Sequence, residues 1–157
     1  MNYMEREKKS GIQRLIDVRE NIDQRASLIL TYHAALECET DRLLAKLLPR
    51  ANKLRGLGFG QKISVLDAAW PGQPALAEVL FSALVQFNDL RNAVAHGDSK
   101  REVDRIISKI ERHLGSNLPT GDDENVVIRI SSYLFGAING TYASVSEPIT
   151  KEPSGQK

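Results

Sequence analysis

The chain has 157 residues, of which 41% are hydrophobic and only 6% aromatic, and its formal net charge at pH 7 is +1. This length allows one domain with its own core, and a composition rich in leucine, alanine and isoleucine favours helices over sheets. The single cysteine, Cys38, excludes an internal disulfide framework, and the near-neutral charge excludes a strong overall field for nucleic acid.

The first two predicted helices precede Pro49. Apolar residues recur at helical spacing from about Gly11 to Asn21, which predicts the first helix. The second is predicted from Arg25 to Leu48, because one broad face of this segment is apolar and the proline would end it. That face consists of Leu28, Ile29, Tyr32, Ala35, Leu36, Leu43 and Leu47. Glu39 lies within it.

A carboxylate that faces a core needs a partner, and an arginine from another helix is the best one available. We therefore expect Glu39 to pair with Arg91.

The next segment, Arg50 to Gly60, is basic and rich in glycine, and it is predicted to be a loop. Its glycine spacing matches neither a phosphate-binding loop nor a dinucleotide fingerprint. Gln61 to Ala69 is predicted to be a short helix that ends before Trp70-Pro71-Gly72.

The central helix is predicted from Pro74 to His96, with Gly97 breaking it. Ser99 then caps a further helix that continues to Leu114, because Glu102 occupies the capping-box position. A turn is predicted from Asn117 to Gly121.

The last segment starts at Asp122 or Asp123. Its β-branched run, Val126–Ile130, could form a strand, but a helix is favoured because a lone strand would have no pairing partner. Residues 147–157 are predicted to be a disordered tail. The sequence thus predicts a single all-α domain over residues 1–146, an up-and-down bundle of about five helices.

No apolar stretch reaches the roughly 18 residues of a membrane span, which predicts a cytoplasmic protein with no membrane partner.

Three polar residues with complementary chemistry come together at the end of the central helix. Asn92 and His96 are i, i+4 neighbours, and Arg91 lies beside Asn92 at the rim of the apolar face. A helix that only needs a stop requires none of the three. A fixed cation, an imidazole and an amide together are suited to holding and cleaving a phosphodiester.

The stretch Phe87–Asp98 resembles the motif of the HEPN superfamily, in which an arginine and a histidine are separated by four to six residues. Asn92, directly after the arginine, belongs to that likeness, as do the acid-bearing helix before the motif and the helix after it. The likeness covers roughly residues 12 to 145. Phe59–Asp67 is also similar to a connecting segment of the mannitol-repressor branch.

The resemblance implies a metal-independent endoribonuclease without a cofactor, acting as a toxin or antiviral-defence effector. His96 would then move a proton, Arg91 would hold the scissile phosphate, and Asn92 would orient His96 or donate to the phosphate. Glu39 would fix the guanidinium. The resemblance also implies a homodimer whose two motifs share one cleft, with RNA as substrate and an antitoxin or regulatory protein as a further partner. Four cations would rim the cleft or be ordinary surface charges: Lys53, Arg55, Lys100 and Arg101.

A second interpretation makes the chain a non-catalytic regulatory or protein-interaction module, as in the mannitol-repressor branch. His96 would then only end a helix, where an imidazolium interacts favourably with the dipole, and Arg91 would only neutralise Glu39. A metalloenzyme is not indicated, because the three histidines lie on different predicted helices without the spacing of a metal pair.

Overall fold

The computed structural model describes residues 24–120 and 125–146. Five α-helices lie in these ranges: α1 at Gln24–Leu47, α2 at Phe59–Ala68, α3 at Pro74–His96, α4 at Lys100–Leu114 and α5 at Val126–Ser146. Two short 3-10 turns occur at Ala51–Leu54 and Gly115–Asn117. The described residues include no strand, so the predicted all-α bundle of five helices is confirmed. The helix predicted over residues 11–21, the start of the last segment and the tail over 147–157 lie outside the described residues.

Gly97 ends α3 in a left-handed conformation, with φ of 73°. Its N–H donates to the carbonyl of Val94 at 3.1 Å, and the N–H of Asp98 donates to the carbonyl of Ala93 at 2.9 Å. These two bonds satisfy carbonyls that a helix end otherwise leaves unpaired. The predicted break is therefore confirmed, and His96 becomes the last helical residue.

The helices that follow begin with side-chain caps. The Ser99 hydroxyl accepts from the N–H of Glu102 at 3.3 Å, as predicted. The Asn125 carbonyl oxygen accepts from the N–H of Val127 at 2.9 Å, which starts α5. The β-branched run Val126–Ile130 is therefore helical, and the interpretation as a helix rather than a strand is confirmed.

Successive helices from α2 to α4 lie antiparallel. Trp70, just after α2, packs edge-on against Phe81 near the start of α3, with ring centroids 5.2 Å apart. His113, at the end of α4, donates from Nε2 to the carbonyl of Val79 near the start of α3, at 3.1 Å. The up-and-down order therefore holds across these three helices.

The first and last of the five helices run parallel. The rings of Tyr32 and Phe135 meet at 6.2 Å, and the Arg42 guanidinium lies 3.9 Å from the centre of the Tyr142 ring. Both pairs advance in the same direction along α1 and α5. Helix α5, the last described segment, therefore packs along α1 as its parallel neighbour.

Each of the other three helices contacts α1 at a different height. The contacts are Arg25 with Asp104 of α4 at 2.6 Å, His33 with Asn88 of α3 at 3.0 Å, and Glu37 with Lys62 of α2 at 3.0 Å. Each pair joins side chains far apart in sequence. Helix α3 therefore meets α1 between α4 and α2.

The core is built from all five helices, and α3 contributes the largest share of buried residues. Its largest fully buried side chains are Leu80, Leu84, Phe87 and Leu90. Burying each stabilises the fold by about 1.5–3 kcal/mol relative to leaving it in water. This packing anchors the last turns of α3 in the core, next to the polar residues Arg91 and Asn92. Among the described residues, no helix combines the length and apolar character that crossing a membrane would need.

Candidate functional site

The three predicted site residues of α3 lie together on its final turns. Arg91 and Asn92 are half-buried, and His96 is exposed at the terminal turn. The Arg91 guanidinium donates from Nη1 to the Asn92 side-chain oxygen at 3.3 Å. Asn92 and His96 are one turn apart, so the three side chains form a continuous polar edge. The exposed imidazole at its end is accessible to a ligand.

Arg91 makes no ion pair with any carboxylate in residues 24–120 or 125–146. Its one hydrogen bond in this part of the chain goes to a neutral amide, which leaves further guanidinium donors free. A half-buried guanidinium of this kind offers a planar, two-pronged site for an anionic oxygen pair. The arrangement can therefore hold a phosphate or a carboxylate.

The predicted pair of Glu39 with Arg91 is wrong. Glu39 accepts instead from Arg42, one turn later on α1, at 3.1 Å. Two other acids of α1, Glu37 and Asp41, face α2, and Glu39 is two residues from each, about 200° around the helix. Its carboxylate therefore points away from α2, and it lies about 120° around α1 from His33, the residue that contacts α3.

The arginine that holds Glu39 also lies over the ring of Tyr142 on α5, at 3.9 Å from its centre. Both contacts of Arg42 are partly open to solvent, and such exposed pairs contribute little to stability. Glu39 thus has a local role between α1 and α5. Among the described residues it makes no hydrogen bond or ion pair with the site on α3.

A second histidine lies close to the site. His33 of α1 is only 6% exposed, and its Nε2 donates to the Asn88 side-chain oxygen at 3.0 Å. The ring of Phe59 packs edge-on against the imidazole, with centroids 4.7 Å apart. Asn88 is one turn before Arg91. This contact therefore fixes α3 against α1 just where the polar edge begins.

Burial lowers the pKa of the His33 imidazole, and this outweighs the hydrogen bond to Asn88, which raises it. The positive charge of Arg91 lowers the pKa of His33 further, whereas Glu37 opposes that effect. His33 is thus neutral at pH 7. A neutral imidazole avoids adding a second cation next to the half-buried Arg91.

His33 was not predicted as a site residue, although the sequence carries a signal for its burial. The buried residues of α1 include Ile29, His33, Leu36 and Leu43, which follow one another at helical spacing. His33 therefore lies on the apolar stripe, whereas Glu39 lies beside it. The prediction took Glu39 as the inward-facing polar residue. It therefore rotated the buried face of α1 by about one residue position from where the structure has it.

A buried ammonium group joins α2 to α1 close to His33. Lys62 has a side chain only 7% exposed, and its Nζ donates to Asp41 at 2.9 Å and to Glu37 at 3.0 Å. Burial lowers the pKa of Lys62, but the hydrogen bonds to the two carboxylates outweigh burial and hold the pKa above its ordinary value. Lys62 is therefore charged and structural, and the sequence analysis did not identify it.

The four predicted phosphate-binding cations divide into two pairs. Lys100 and Arg101 are exposed on the first turn of α4, immediately after the Gly97 turn, so they adjoin His96. Lys53 and Arg55 are exposed between α1 and α2, and Arg55 lines a small cavity with Asp41. No contact within the described residues brings this second pair to the end of α3.

Comparisons of the chain with protein-family models, curated proteins and solved structures find no match. The resemblance to the HEPN superfamily thus stays a prediction that rests on the motif itself. Among the described residues, no three histidine, cysteine, aspartate or glutamate side chains converge as metal ligands would.

Proposed function

We propose that the chain is a metal-independent endoribonuclease whose site is the end of α3. The observation that carries this proposal is the half-buried Arg91, which has no carboxylate partner among the described residues and lies five residues before an exposed histidine. An arginine needed only for charge balance would face an acid, as Lys62 does. A guanidinium with no acid partner among the described residues, on the same helix end as an exposed imidazole, fits a phosphodiester better than it fits packing.

Arg91 would hold the two non-bridging oxygens of the scissile phosphate through paired N–H donors. As the 2′-oxygen attacks phosphorus, negative charge builds on these oxygens, and a positioned guanidinium stabilises that charge. Asn92 accepts from Arg91 through its side-chain oxygen, so its amide N–H groups can donate to the phosphate or to His96. The three side chains would thus act on one anionic group.

His96 would take the proton from the 2′-hydroxyl as that oxygen bonds to phosphorus. The bond from phosphorus to the 5′-oxygen breaks, and this leaving oxygen needs a proton from a second group. The products are a 2′,3′-cyclic phosphate and a 5′-hydroxyl. In a two-fold homodimer, the second copy of His96 would supply that proton across the shared cleft.

The neighbouring cations would bind the flanking nucleotides. Lys100 and Arg101 follow the Gly97 turn directly, so phosphates on either side of the cut could reach them. Affinity for RNA depends chiefly on such contacts, because the net charge of the chain is only +1. A toxin or antiviral-defence effector controlled by an antitoxin or regulatory protein is the cellular role we propose for this activity.

The chemistry predicts that cleavage requires the 2′-hydroxyl and no metal. An RNA oligonucleotide should be cut at the same rate with and without excess EDTA. The same oligonucleotide with 2′-deoxyribose at the cleaved position should remain intact, because the attacking oxygen is absent. Mass spectrometry of the fragments should find a 2′,3′-cyclic phosphate on the 5′ fragment. Cutting of the deoxy substrate, or fragments ending in a 5′-phosphate, would point to attack by water and contradict the mechanism.

A further inference from the structure

A second asparagine lies one turn before the proposed RNase site. Asn88 is half-buried on α3, four residues before Asn92, so the two amide side chains share one face of the helix. His96 continues the same row by one more turn. The polar edge at the end of α3 therefore begins earlier than the three residues of the proposed site.

The side-chain oxygen of each asparagine faces a donor that the fold holds in place. The Asn88 oxygen accepts from Nε2 of His33 at 3.0 Å, and this imidazole is buried against the ring of Phe59. The Asn92 oxygen accepts from Nη1 of Arg91 at 3.3 Å. An amide whose oxygen is bound on one side directs its N–H groups to the other side. Both asparagines therefore present donors to a ligand.

The amide nitrogen of Asn88 is free to bind such a ligand. Nδ2 makes no hydrogen bond with a described residue, and the atom is accessible to solvent. Gly60, the second residue of α2, lies beside it, since a β-carbon there would be 3.5 Å from Nδ2. Because glycine has no side chain, this neighbour leaves the amide uncovered. Asn88 thus has unused N–H donors at the surface.

Arg91 lies next to this amide. It follows Asn88 by three residues, which places the two side chains about 60° apart around the helix and one turn apart along it. The pKa of His33 is lowered by burial and also by the positive charge of Arg91, so the guanidinium is within electrostatic reach of the contact that holds Asn88. Amide donors beside a cation suit anionic oxygens.

We propose that Asn88 is a substrate-binding residue, positioned by His33, that donates to the phosphate next to the scissile one. This inference rests on the proposed function, which supplies RNA as the ligand. Side chains four residues apart on a helix are separated by about 6 Å, a distance comparable to that between neighbouring phosphates of a strand. Arg91 and Asn92 hold the scissile phosphate, and Asn88 holds its neighbour. His33 acts through Asn88 and does not touch the RNA.

Binding of a 2′-fluoro RNA oligonucleotide, followed by fluorescence anisotropy, tests this role. The fluorine replaces the attacking hydroxyl, so the RNA is not cut. Asn88→Asp keeps an oxygen facing His33 but replaces the N–H donors with a negative oxygen, and the Kd should rise about tenfold. Asn117→Asp is the matched control, because Asn117 is exposed after α4, near the opposite end of α3. Its Kd should stay within about twofold of wild type, since surface charges far from the ligand are screened.

The positioning role of His33 predicts a rescue by the conservative variant. His33→Ala releases the Asn88 amide, and the Kd of the folded variant should rise about fivefold. His33→Gln can still donate to the Asn88 oxygen, so its Kd should match that of wild type. Equal Kd values for wild type and folded His33→Ala would show that His33 is only structural. If His33→Ala fails to fold by circular dichroism, Asn88→Asp and His33→Gln decide the question.

A 2′-fluoro trinucleotide with two phosphate linkages identifies the phosphate that Asn88 binds. Wild type should lose affinity when either phosphate is replaced by a neutral methylphosphonate. Asn88→Ala should lose affinity for only one of the two replacements, because the other phosphate has already lost its contact. A loss for both replacements would contradict the assignment of Asn88 to the neighbouring phosphate.

Cleavage of the matching 2′-hydroxyl RNA in EDTA, measured in parallel, separates this inference from the proposed function. Cleavage by wild type together with an unchanged Kd in Asn88→Asp would overturn the role of Asn88 and leave the RNase proposal intact. Binding that depends on Asn88 without any cleavage would overturn the RNase proposal alone. Absence of saturable binding by wild type, or equal weakening by Asn117→Asp and Asn88→Asp, would overturn the role of Asn88.

Discussion

Replacing His96 with alanine is expected to reduce RNA cleavage by about a hundredfold to ten-thousandfold, the range typical for loss of a proton-transfer group. The imidazole is exposed and makes no hydrogen bond in the described part of the chain, so its loss removes little packing. The free energy of unfolding should therefore change by less than about 0.5 kcal/mol. A lower cleavage rate with an unchanged free energy of unfolding would show that His96 takes part in the reaction.

His113→Ala is the matched control for this variant. His113 is also exposed and also lies in the last turn of a helix, but its ring is bound to the Val79 carbonyl on the opposite end of α3. Its cleavage rate should equal that of wild type. If His96→Ala cuts RNA at the wild-type rate, or if both histidine variants lose activity equally, His96 is not a proton-transfer group.

Replacing His33 with alanine is expected to lower the free energy of unfolding by about 2–4 kcal/mol. The variant leaves a cavity beside Phe59 and deprives the Asn88 side chain of its hydrogen bond across α1 and α3. Urea denaturation followed by circular dichroism measures this loss. The double variant with Asn88→Ala should be less destabilised than the sum of the two single variants, because they remove the same contact.

The stability of the wild type should also depend on pH through His33. Burial holds the pKa of the folded imidazole below its usual value of 6.5, so the unfolded chain binds the proton more tightly. The contribution of His33 is therefore complete above about pH 6.5 and is lost as the pH falls from there through the folded pKa. Denaturation at pH 7.5, 6.5 and 5.5 should show this decline.

A His33→Gln variant provides the control for the pH effect, because it can keep a hydrogen bond to Asn88 without titrating. Its decline between pH 7.5 and 5.5 should be smaller than that of wild type. The two exposed histidines, His96 and His113, are unchanged in this comparison. Identical pH profiles for wild type and His33→Gln would show that the buried imidazole does not couple folding to pH.

Local signals in the sequence predicted the helix ends well. Pro74 and Gly97 bound α3, and the Ser99 hydroxyl caps α4, as expected. The predicted capping box is only half present, because the Glu102 carboxylate accepts from Arg105. These features depend on backbone rules that act within a few residues, so they require no knowledge of the fold. The polar edge at the end of α3 follows from the same local geometry. Its three residues could thus be placed together from the sequence.

Contacts between helices were predicted poorly. The sequence analysis assigned Glu39 to Arg91, whereas the structure pairs Glu39 with Arg42 and brings His33 to α3. Which polar residue of α1 faces α3 depends on the rotation of α1 and on the height at which the helices cross. The apolar pattern defines that rotation only to within about one residue, because a broad stripe tolerates several choices. Lys62 was missed because its two acids belong to another helix.

An RNA cleavage assay in excess EDTA tests the central proposal most directly. It compares the wild-type chain with Arg91→Ala and Arg42→Ala on a mixed RNA. The two variants remove one arginine each, from the end of α3 and from the pair with Glu39. The account predicts that wild type and Arg42→Ala cut the RNA and that folded Arg91→Ala does not. Intact RNA with all three folded proteins would contradict the proposed nuclease and favour a non-catalytic interaction module.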